Sequence, residues 1–100
     1  MALFAVLTTQ APKGISADEF KRRLPEGFSH HVSLVDKGIV KHSWIRVGES
    51  GGLNIYDVSS HEELVSALYD NPLSPHIEFT VFPIVDAGSF DVEAFAESAG

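Results

Sequence analysis

The chain has no cysteine among its 100 residues, which excludes a disulfide framework, a thiolate metal site and a cysteine nucleophile. Basic residues are also scarce, because 7 lysines and arginines stand against 14 aspartates and glutamates, for a net charge of −7. Nucleic acids and anionic membranes need a basic patch, so this balance argues against both as partners. Neither a membrane-length apolar run nor a signal-peptide pattern occurs, and we expect a cytoplasmic protein.

What is present predicts one folded domain. With 44% hydrophobic and only 21% charged residues, the chain is too apolar for disorder. One hundred residues are enough for a single core. A small domain this apolar often covers part of its surface by self-association, so we expect a homodimer or a larger assembly of dimers.

The stretch 41–75 predicts strand, turn, strand and helix. Residues 41–47 alternate between two types of side chain, as a strand with two different faces requires. Glycines in 49–52 favour a tight turn, from which 53–58 returns as an antiparallel hairpin partner. Serines that precede glutamates at capping-box spacing then begin a helix, and Pro72 ends it.

The first forty residues predict a strand and a helix. The nearly continuous apolar run 2–9 is typical of a central strand covered on both faces. A loop over 10–14 follows, and Ser16 begins a helix by capping. Pro25 is predicted either to divide this helix into two segments or to kink it, and the helical stretch closes at Gly38.

A fourth strand is predicted over 76–85, where apolar and polar residues alternate. The order β-α-β-β-α-β is the ferredoxin-like α+β motif, an antiparallel sheet with both helices on one face. We assign 1–85 to this domain. Residues 86–100 form an acidic tail that we expect to be a short helix docking on a neighbouring subunit.

Several residues after the first helix carry a resemblance to a known family. They are Gly38, His42, Trp44, Gly48, Asp57-Val58, Leu68, Pro72-Leu73 and Pro75. Their spacing, ungapped from Gly38 to about Val81, resembles the muconolactone isomerase family, and nearly the whole chain resembles dimeric ferredoxin-like α+β barrel proteins. The resemblance implies two sheets paired into a barrel, a ligand cavity under the first helix, and cofactor-free chemistry on a small molecule.

Histidines are the predicted acid and base groups, namely His30, His31 and His42. Imidazole titrates near neutral pH, so it can take a proton from carbon next to a carbonyl and return it elsewhere. His30 and His31 diverge by about 100° around a helix, and we expect only one of them to face the cavity. The resemblance implies an acidic residue on this helix, where this chain has histidines.

The predicted substrate-binding residues are Trp44, Arg46, Asn54, Tyr56, His76, Glu78 and Phe82. The aromatic members could stack on a flat substrate or serve as plain packing. Arg46 could bind a substrate carboxylate or pair with Glu49 or Glu78. Asn54 could orient an enol oxygen or cap the turn, and Glu78 is a second acid or base if it is buried.

These patterns predict an isomerase or cyclase that moves a proton next to the carbonyl of a lactone- or polyketide-like substrate. Two alternatives stay open: a non-catalytic ligand-binding or assembly module, and a cofactor-independent monooxygenase. No HxH, HxxxH or HExxH spacing occurs, so neither a metal nor another cofactor is predicted. The segment 48–52 has the Gly-x-Ser-x-Gly spacing of a serine nucleophile, but it lies in the predicted hairpin turn instead of the turn from a strand to a helix that such a nucleophile needs.

Overall fold

The computed structural model describes residues 2–10 and 13–99, so the predicted loop over 10–14 lies partly outside the described residues. Its elements are β1 (Ala2–Thr9), α1 (Ala17–Asp36), β2 (Val40–Ile45), β3 (Gly51–Val58), α2 (His61–Tyr69), β4 (Glu78–Ile84) and α3 (Val92–Ala99). The four strands form one antiparallel sheet in the order β2-β3-β1-β4. The predicted ferredoxin-like α+β fold is therefore confirmed. Within the described ranges, no helix is long and apolar enough to cross a membrane.

β1 lies at the centre of the sheet, as its apolar sequence predicts. It pairs with β3 on one side and with β4 on the other. Phe4, Ala5 and Val6 are all buried, although successive side chains point to opposite faces. A continuous apolar run, rather than an alternating one, is typical of a strand whose second face is covered as well.

The core lies between the sheet and the two long helices. Phe4, Val6, Tyr56 and Val58 point from one face of β1 and β3 toward Leu34 of α1 and Leu64 and Leu68 of α2, and all seven side chains belong to one buried cluster. Burying each aliphatic or aromatic side chain of this size contributes roughly 1.5–3 kcal/mol. Both helices therefore cover the same face of the sheet.

The helix starts follow the capping pattern of the sequence. The Ser16 hydroxyl accepts from the backbone N–H of Glu19 at 3.1 Å, and that of Ser60 accepts from Glu63 at 3.1 Å. The Glu63 carboxylate in turn accepts from the Ser59 backbone N–H at 3.3 Å. These contacts satisfy N–H groups that have no partner inside the helix.

The predicted division at Pro25 is wrong, because α1 is one helix of 20 residues that contains Pro25, whereas the predicted kink stays a prediction. Proline in a helix interior removes the hydrogen bond to the carbonyl four residues earlier, here that of Lys21. Helix α1 nevertheless buries Phe20 before the proline and Leu34 after it. Packing at both ends outweighs the loss of one hydrogen bond.

The predicted start of the fourth strand at His76 is also wrong. Residues Ser74–His76 form a short 3₁₀ turn, in which the His76 N–H donates to the Leu73 carbonyl at 2.9 Å, and β4 begins at Glu78. Pro75 lies at the start of this turn, where its fixed φ suits a helical conformation. The alternation of apolar and polar residues alone therefore predicted a start for this strand that lies too early in the chain.

A bulge in β2 decides which side chains face the helices. Val40 pairs with Tyr56, whereas His42 pairs with Ile55, so Lys41 is an extra residue in the ladder. After the bulge, Ser43 lies opposite Asn54 on the helix-covered face. His42 and Trp44 are directed to the other face.

We call that other side of the sheet the open face, because no helix packs on it. Its side chains include Leu7, Leu53, Ile55, Trp44 and Phe82. Trp44 is 52% exposed and Phe82 is 42% exposed. The open face thus carries large apolar residues in contact with solvent.

The chain after β4 extends away from the core. A 3₁₀ turn over Ala87–Ser89 leads into α3. The ring of Phe90, before the helix, packs edge to face on that of Phe95, with the ring centroids 5.4 Å apart. Val92 and Phe95 stay 68% and 58% exposed. The domain boundary at residue 85 and the docking of the tail on a second subunit stay predictions.

Candidate active site

A cavity of about 480 Å³ lies between α1 and the helix-covered face of the sheet. This volume is in the usual range for small-molecule sites, about 300–1,000 Å³. Its walls come from α1, from β2 and β3, and from the segment that joins α2 to β4. The position agrees with the cavity that the sequence resemblance implies.

One face of α1 forms the roof of this cavity. Lys21, Leu24, Phe28 and His31 all line it, and they follow one another at intervals of three, four and three residues. That spacing places side chains on one side of a helix. The sequence therefore carried a signal for Lys21 and Phe28, which residue-by-residue reasoning missed.

The sheet provides the polar part of the lining. Asn54 and Tyr56 line the cavity, as the sequence predicts for substrate-binding residues, and they are only 7% and 4% exposed. Ser43 joins them because the bulged register of β2 brings it opposite Asn54. The Ser43 hydroxyl donates to Asn54 Oδ1 at 2.7 Å.

His31 reaches from α1 to this polar group. Its Nε2 lies 2.9 Å from Ser43 Oγ, and its ring lies beside that of Phe28. Burial lowers the pKa of His31 below its usual 6.5, and the charge on neighbouring His30 lowers it further. The imidazole is therefore mainly neutral at physiological pH, which is the protonation state that a general base needs.

His30 also lines the cavity, so the prediction that only one of the two histidines would face it is wrong. The two rings diverge: that of His31 reaches β2, whereas His30 Nε2–H donates to the Ala67 carbonyl of α2 at 2.9 Å. The cavity is wide enough for both to border it. The His30 contact ties the two helices together.

Tyr56 is a proton donor rather than an anion in this environment. Burial raises the pKa of its hydroxyl to about 12. The hydroxyl has no hydrogen-bond partner in the part of the chain that the structure describes, and Asn54 Nδ2 likewise has none there. Two donors two residues apart on β3 are thus left for a ligand.

Charge in the cavity is sparse and positive. Among the described lining residues, Lys21 is the one side chain with a permanent charge, and none is an aspartate or glutamate. Asn71, which sequence reasoning also missed, adds an amide whose Nδ2 donates to the Gly27 carbonyl at 3.2 Å. In the described ranges, no three histidines or carboxylates cluster closely enough to hold a metal ion.

The structure places His42 and Phe82 outside the lining of this cavity. Both lie on the open face, where the His42 ring stacks on that of Trp44 with centroids 5.5 Å apart. Trp44 contributes to the cavity lining although its ring lies in this stack. Since side chains alternate along a strand, those of His42 and Phe82 point away from the cavity on the other side of the sheet.

Arg46, His76 and Glu78 are also absent from the lining, because each is engaged elsewhere. Arg46 donates to Thr9 Oγ1 at 3.1 Å and pairs with Glu49 at 2.5 Å. His76 Nδ1–H donates to the Lys13 carbonyl at 2.6 Å, and Glu78 pairs with the Lys13 ammonium. These contacts fasten the loops at the ends of the strands.

Comparisons with known proteins agree with this architecture. The family profile of muconolactone delta-isomerase matches residues 1–89. The muconolactone delta-isomerase of Rhodococcus opacus is 27% identical over 90 residues, which cover 89% of this chain and 97% of the relative.

Two solved structures share the fold. A crystal structure of muconolactone isomerase has a TM-score of 0.75 at 24% identity, covering 88% of this chain and 93% of the other. The second is the 5-chloro-2-hydroxyhydroquinone dehydrochlorinase of Burkholderia phenoliruptrix in complex with 2,5-dihydroxybenzoquinone. It has a TM-score of 0.63 at 15% identity, and the match covers 89% of this chain and 99% of the other. With the profile match over most of its length, the chain belongs to the muconolactone delta-isomerase family and is a small-molecule enzyme of the isomerase type.

Proposed function

We propose that this enzyme moves a proton between carbon atoms next to a carbonyl group, in a lactone- or polyketide-like substrate and without a cofactor. His31 is the base in this proposal. The observation that carries it is a neutral, half-buried imidazole that borders a cavity free of carboxylates among the described residues. His31 here takes the place of the acidic residue that the family resemblance implied.

The reaction needs a group that stabilises negative charge as the proton leaves. Removing a proton from the α carbon breaks a C–H bond and places an electron pair on the carbonyl oxygen as an enolate. Asn54 Nδ2 and the Tyr56 hydroxyl are the donors that we assign to this oxygen, since both line the cavity. The imidazolium then returns the proton to a different carbon, which completes a double-bond shift.

Lys21 gives the substrate a preferred orientation. As the one permanent charge among the described lining residues, its ammonium would attract an acidic substituent of the substrate toward its end of the cavity. Attraction of this kind helps binding and orientation rather than the chemical step. The substrate class is therefore a small carbonyl compound that carries an anionic group.

We further propose a cytoplasmic homodimer in which the open faces of two sheets pair. Exposed Trp44 and Phe82 on this face favour burial against a second copy.

Hydrogen exchange in heavy water tests the proposed chemistry directly. A panel of lactones and polyketide-like enones with an acidic substituent would be incubated with enzyme, and deuterium at the α carbon and the double-bond position followed by NMR. We expect wild-type protein to exchange and isomerise one class, and His31→Gln to lower kcat by roughly 10²–10⁴-fold. Repeating the assay without oxygen excludes the monooxygenase alternative if turnover is unchanged.

The matched control is His61→Gln, which removes a histidine exposed at the start of α2 and outside the cavity. It should keep wild-type turnover. Equal activity of His31→Gln and His61→Gln, with both folded, would contradict the assignment of His31 as the base.

A further inference from the structure

Ser43 stands between His31 and Asn54, and its single proton decides how these groups are connected. The amide oxygen of Asn54 can only accept a hydrogen bond, so the Ser43 proton is used in the 2.7 Å contact to Oδ1. The 2.9 Å contact between His31 Nε2 and Ser43 Oγ then needs its proton from the imidazole. Each member of the chain therefore donates to the next.

We infer that Ser43 and Asn54 are positioning residues that hold His31 as the Nε2–H tautomer, so that Nδ1 is the atom that takes the substrate proton. Nδ1 has no hydrogen-bond partner in the described ranges. The catalytic consequence of this inference rests on the proposed function. The tautomer is a property of the resting protein and stands independently of any reaction.

Three elements fix the geometry of the chain. His31 comes from α1, Ser43 from β2 and Asn54 from β3, and the last two are direct partners in the ladder. Asn54 is only 7% exposed, so water competes little for its oxygen. A side chain held by packing and by a neighbour keeps the orientation that a base requires.

The partner of His31 is neutral, and this distinguishes the arrangement from a histidine backed by a carboxylate. A carboxylate partner would stabilise the imidazolium and keep the ring charged more of the time. A serine backed by an amide orients the ring without adding a charge. The base therefore stays unprotonated between turnovers, which suits a step that begins with proton removal.

Nitrogen NMR of the imidazole tests the inference without a substrate. Long-range proton–nitrogen spectra of labelled protein would be recorded where the ring is neutral, with His31→Gln to assign its signals. We expect a protonated Nε2 and an unprotonated Nδ1. The opposite pattern would overturn the inference, because it would mean that the Asn54 amide nitrogen faces Ser43 and that Ser43 donates to His31.

Two variants test the direction of the chain. Asn54→Leu removes the acceptor while keeping similar volume, which frees the Ser43 proton to donate to His31 Nε2, so we expect the opposite tautomer to become populated. Ser43→Thr keeps the hydroxyl and should keep the wild-type pattern. An unchanged tautomer in Asn54→Leu would overturn the role of Asn54.

Kinetics then separates positioning from packing. Ser43→Ala should lower kcat by about 10- to 100-fold with little change in KM, and Ser43→Thr should restore most of it. A loss of kcat in Ser43→Ala that Ser43→Thr does not restore would mean that Ser43 acts through packing alone. If the wild-type protein shows the expected tautomer but His31→Gln keeps full activity, the proposed function is refuted. The hydrogen-bond chain from His31 through Ser43 to Asn54 would still stand.

Discussion

His31 links the protonation of one side chain to the stability of the fold. Because burial and the charge on His30 lower its pKa, the unfolded chain binds a proton more readily than the folded chain does. Stability is therefore fully present above about pH 6.5 and falls as the pH decreases toward the folded-state value. We expect His31→Gln to lose this part of the pH dependence, as measured by urea unfolding over a pH series.

The control for that series is His61→Gln, which should retain the slope of the wild-type protein below about pH 6.5. Parallel curves for wild type and His31→Gln would mean that His31 is not the group responsible. The comparison needs no substrate.

Tyr56 makes the stability of the fold depend on pH in the opposite direction, at alkaline pH. Its pKa is raised to about 12 in the fold, so the folded chain holds this proton more tightly than the unfolded chain does. Stability is present below the ordinary tyrosine value of about 10 and is lost as the pH rises toward about 12. Tyr56→Phe should remove the latest step in the absorbance titration of tyrosinate.

The same substitution separates catalysis from packing. Tyr56→Phe keeps the ring in the core and removes a hydroxyl that has no protein partner among the described residues, so stability at neutral pH should change by less than about 1 kcal/mol. Loss of a donor to the enolate should lower kcat by roughly 10²-fold or more. Unchanged turnover would remove Tyr56 from the proposed mechanism.

Some of the site could be predicted from single residues. His31, Asn54 and Tyr56 line the cavity, as expected, because histidine, amide and phenol groups on inward positions are informative by type. Ser43 and Lys21 were missed since neither residue type is unusual on a strand or helix. His42 was expected beside them but lies on the open face. The alternation of residue types shows that a strand has two different faces, but it does not show which of them borders the cavity.

Gly27 controls how closely α1 approaches the segment after α2. A Cβ at this buried position would lie 2.6 Å from Leu73 Cδ1 and 3.2 Å from Asn71 Oδ1. Alanine is the better helix former by about 1 kcal/mol, but Leu73 is only 2% exposed and has little room to move. We expect Gly27→Ala to destabilise the fold by roughly 1–3 kcal/mol in urea unfolding.

Ser29→Ala provides the comparison, because Ser29 is exposed on the same helix. It should be neutral or slightly stabilising. If Gly27→Ala proved as stable as Ser29→Ala, the close approach of the two segments would not be a constraint on the fold.

Elements were predictable where local chemistry and packing agree. Ser16 and Ser60 begin helices in the sequence and in the structure, and β1 is central as its continuous apolar run indicates. Pro25 does not divide α1, because packing on both sides of the proline holds the helix together. His76 lies in a turn that Pro75 favours, although alternation predicts a strand there.

At the scale of the whole molecule, the open face predicts association. Phe82 is 42% exposed there, and replacing it with a charge would make burial against a second copy costly. We expect wild-type protein to sediment as a dimer or a multiple of dimers and Phe82→Lys to shift toward monomer. Val65→Lys is the control, since Val65 is 53% exposed on α2, away from the open face.

A wild-type monomer at high protein concentration would contradict this prediction, and so would a Phe82→Lys variant that sediments like the wild type. Composition alone predicts association only as a tendency. Which surface is used depends on the register of all four strands, which no single stretch of sequence specifies.

The extra residue in β2 decides which side chain stands in front of His31. With Lys41 bulged out, Ser43 is the residue opposite Asn54. If the ladder ran regularly from Val40, the alternation would reverse, and His42 would stand there instead. A shift of one residue in the backbone would thus exchange a hydroxyl for a second imidazole in front of His31, with no substitution in the cavity. Strand register, and not residue type alone, therefore sets which polar group borders the cavity.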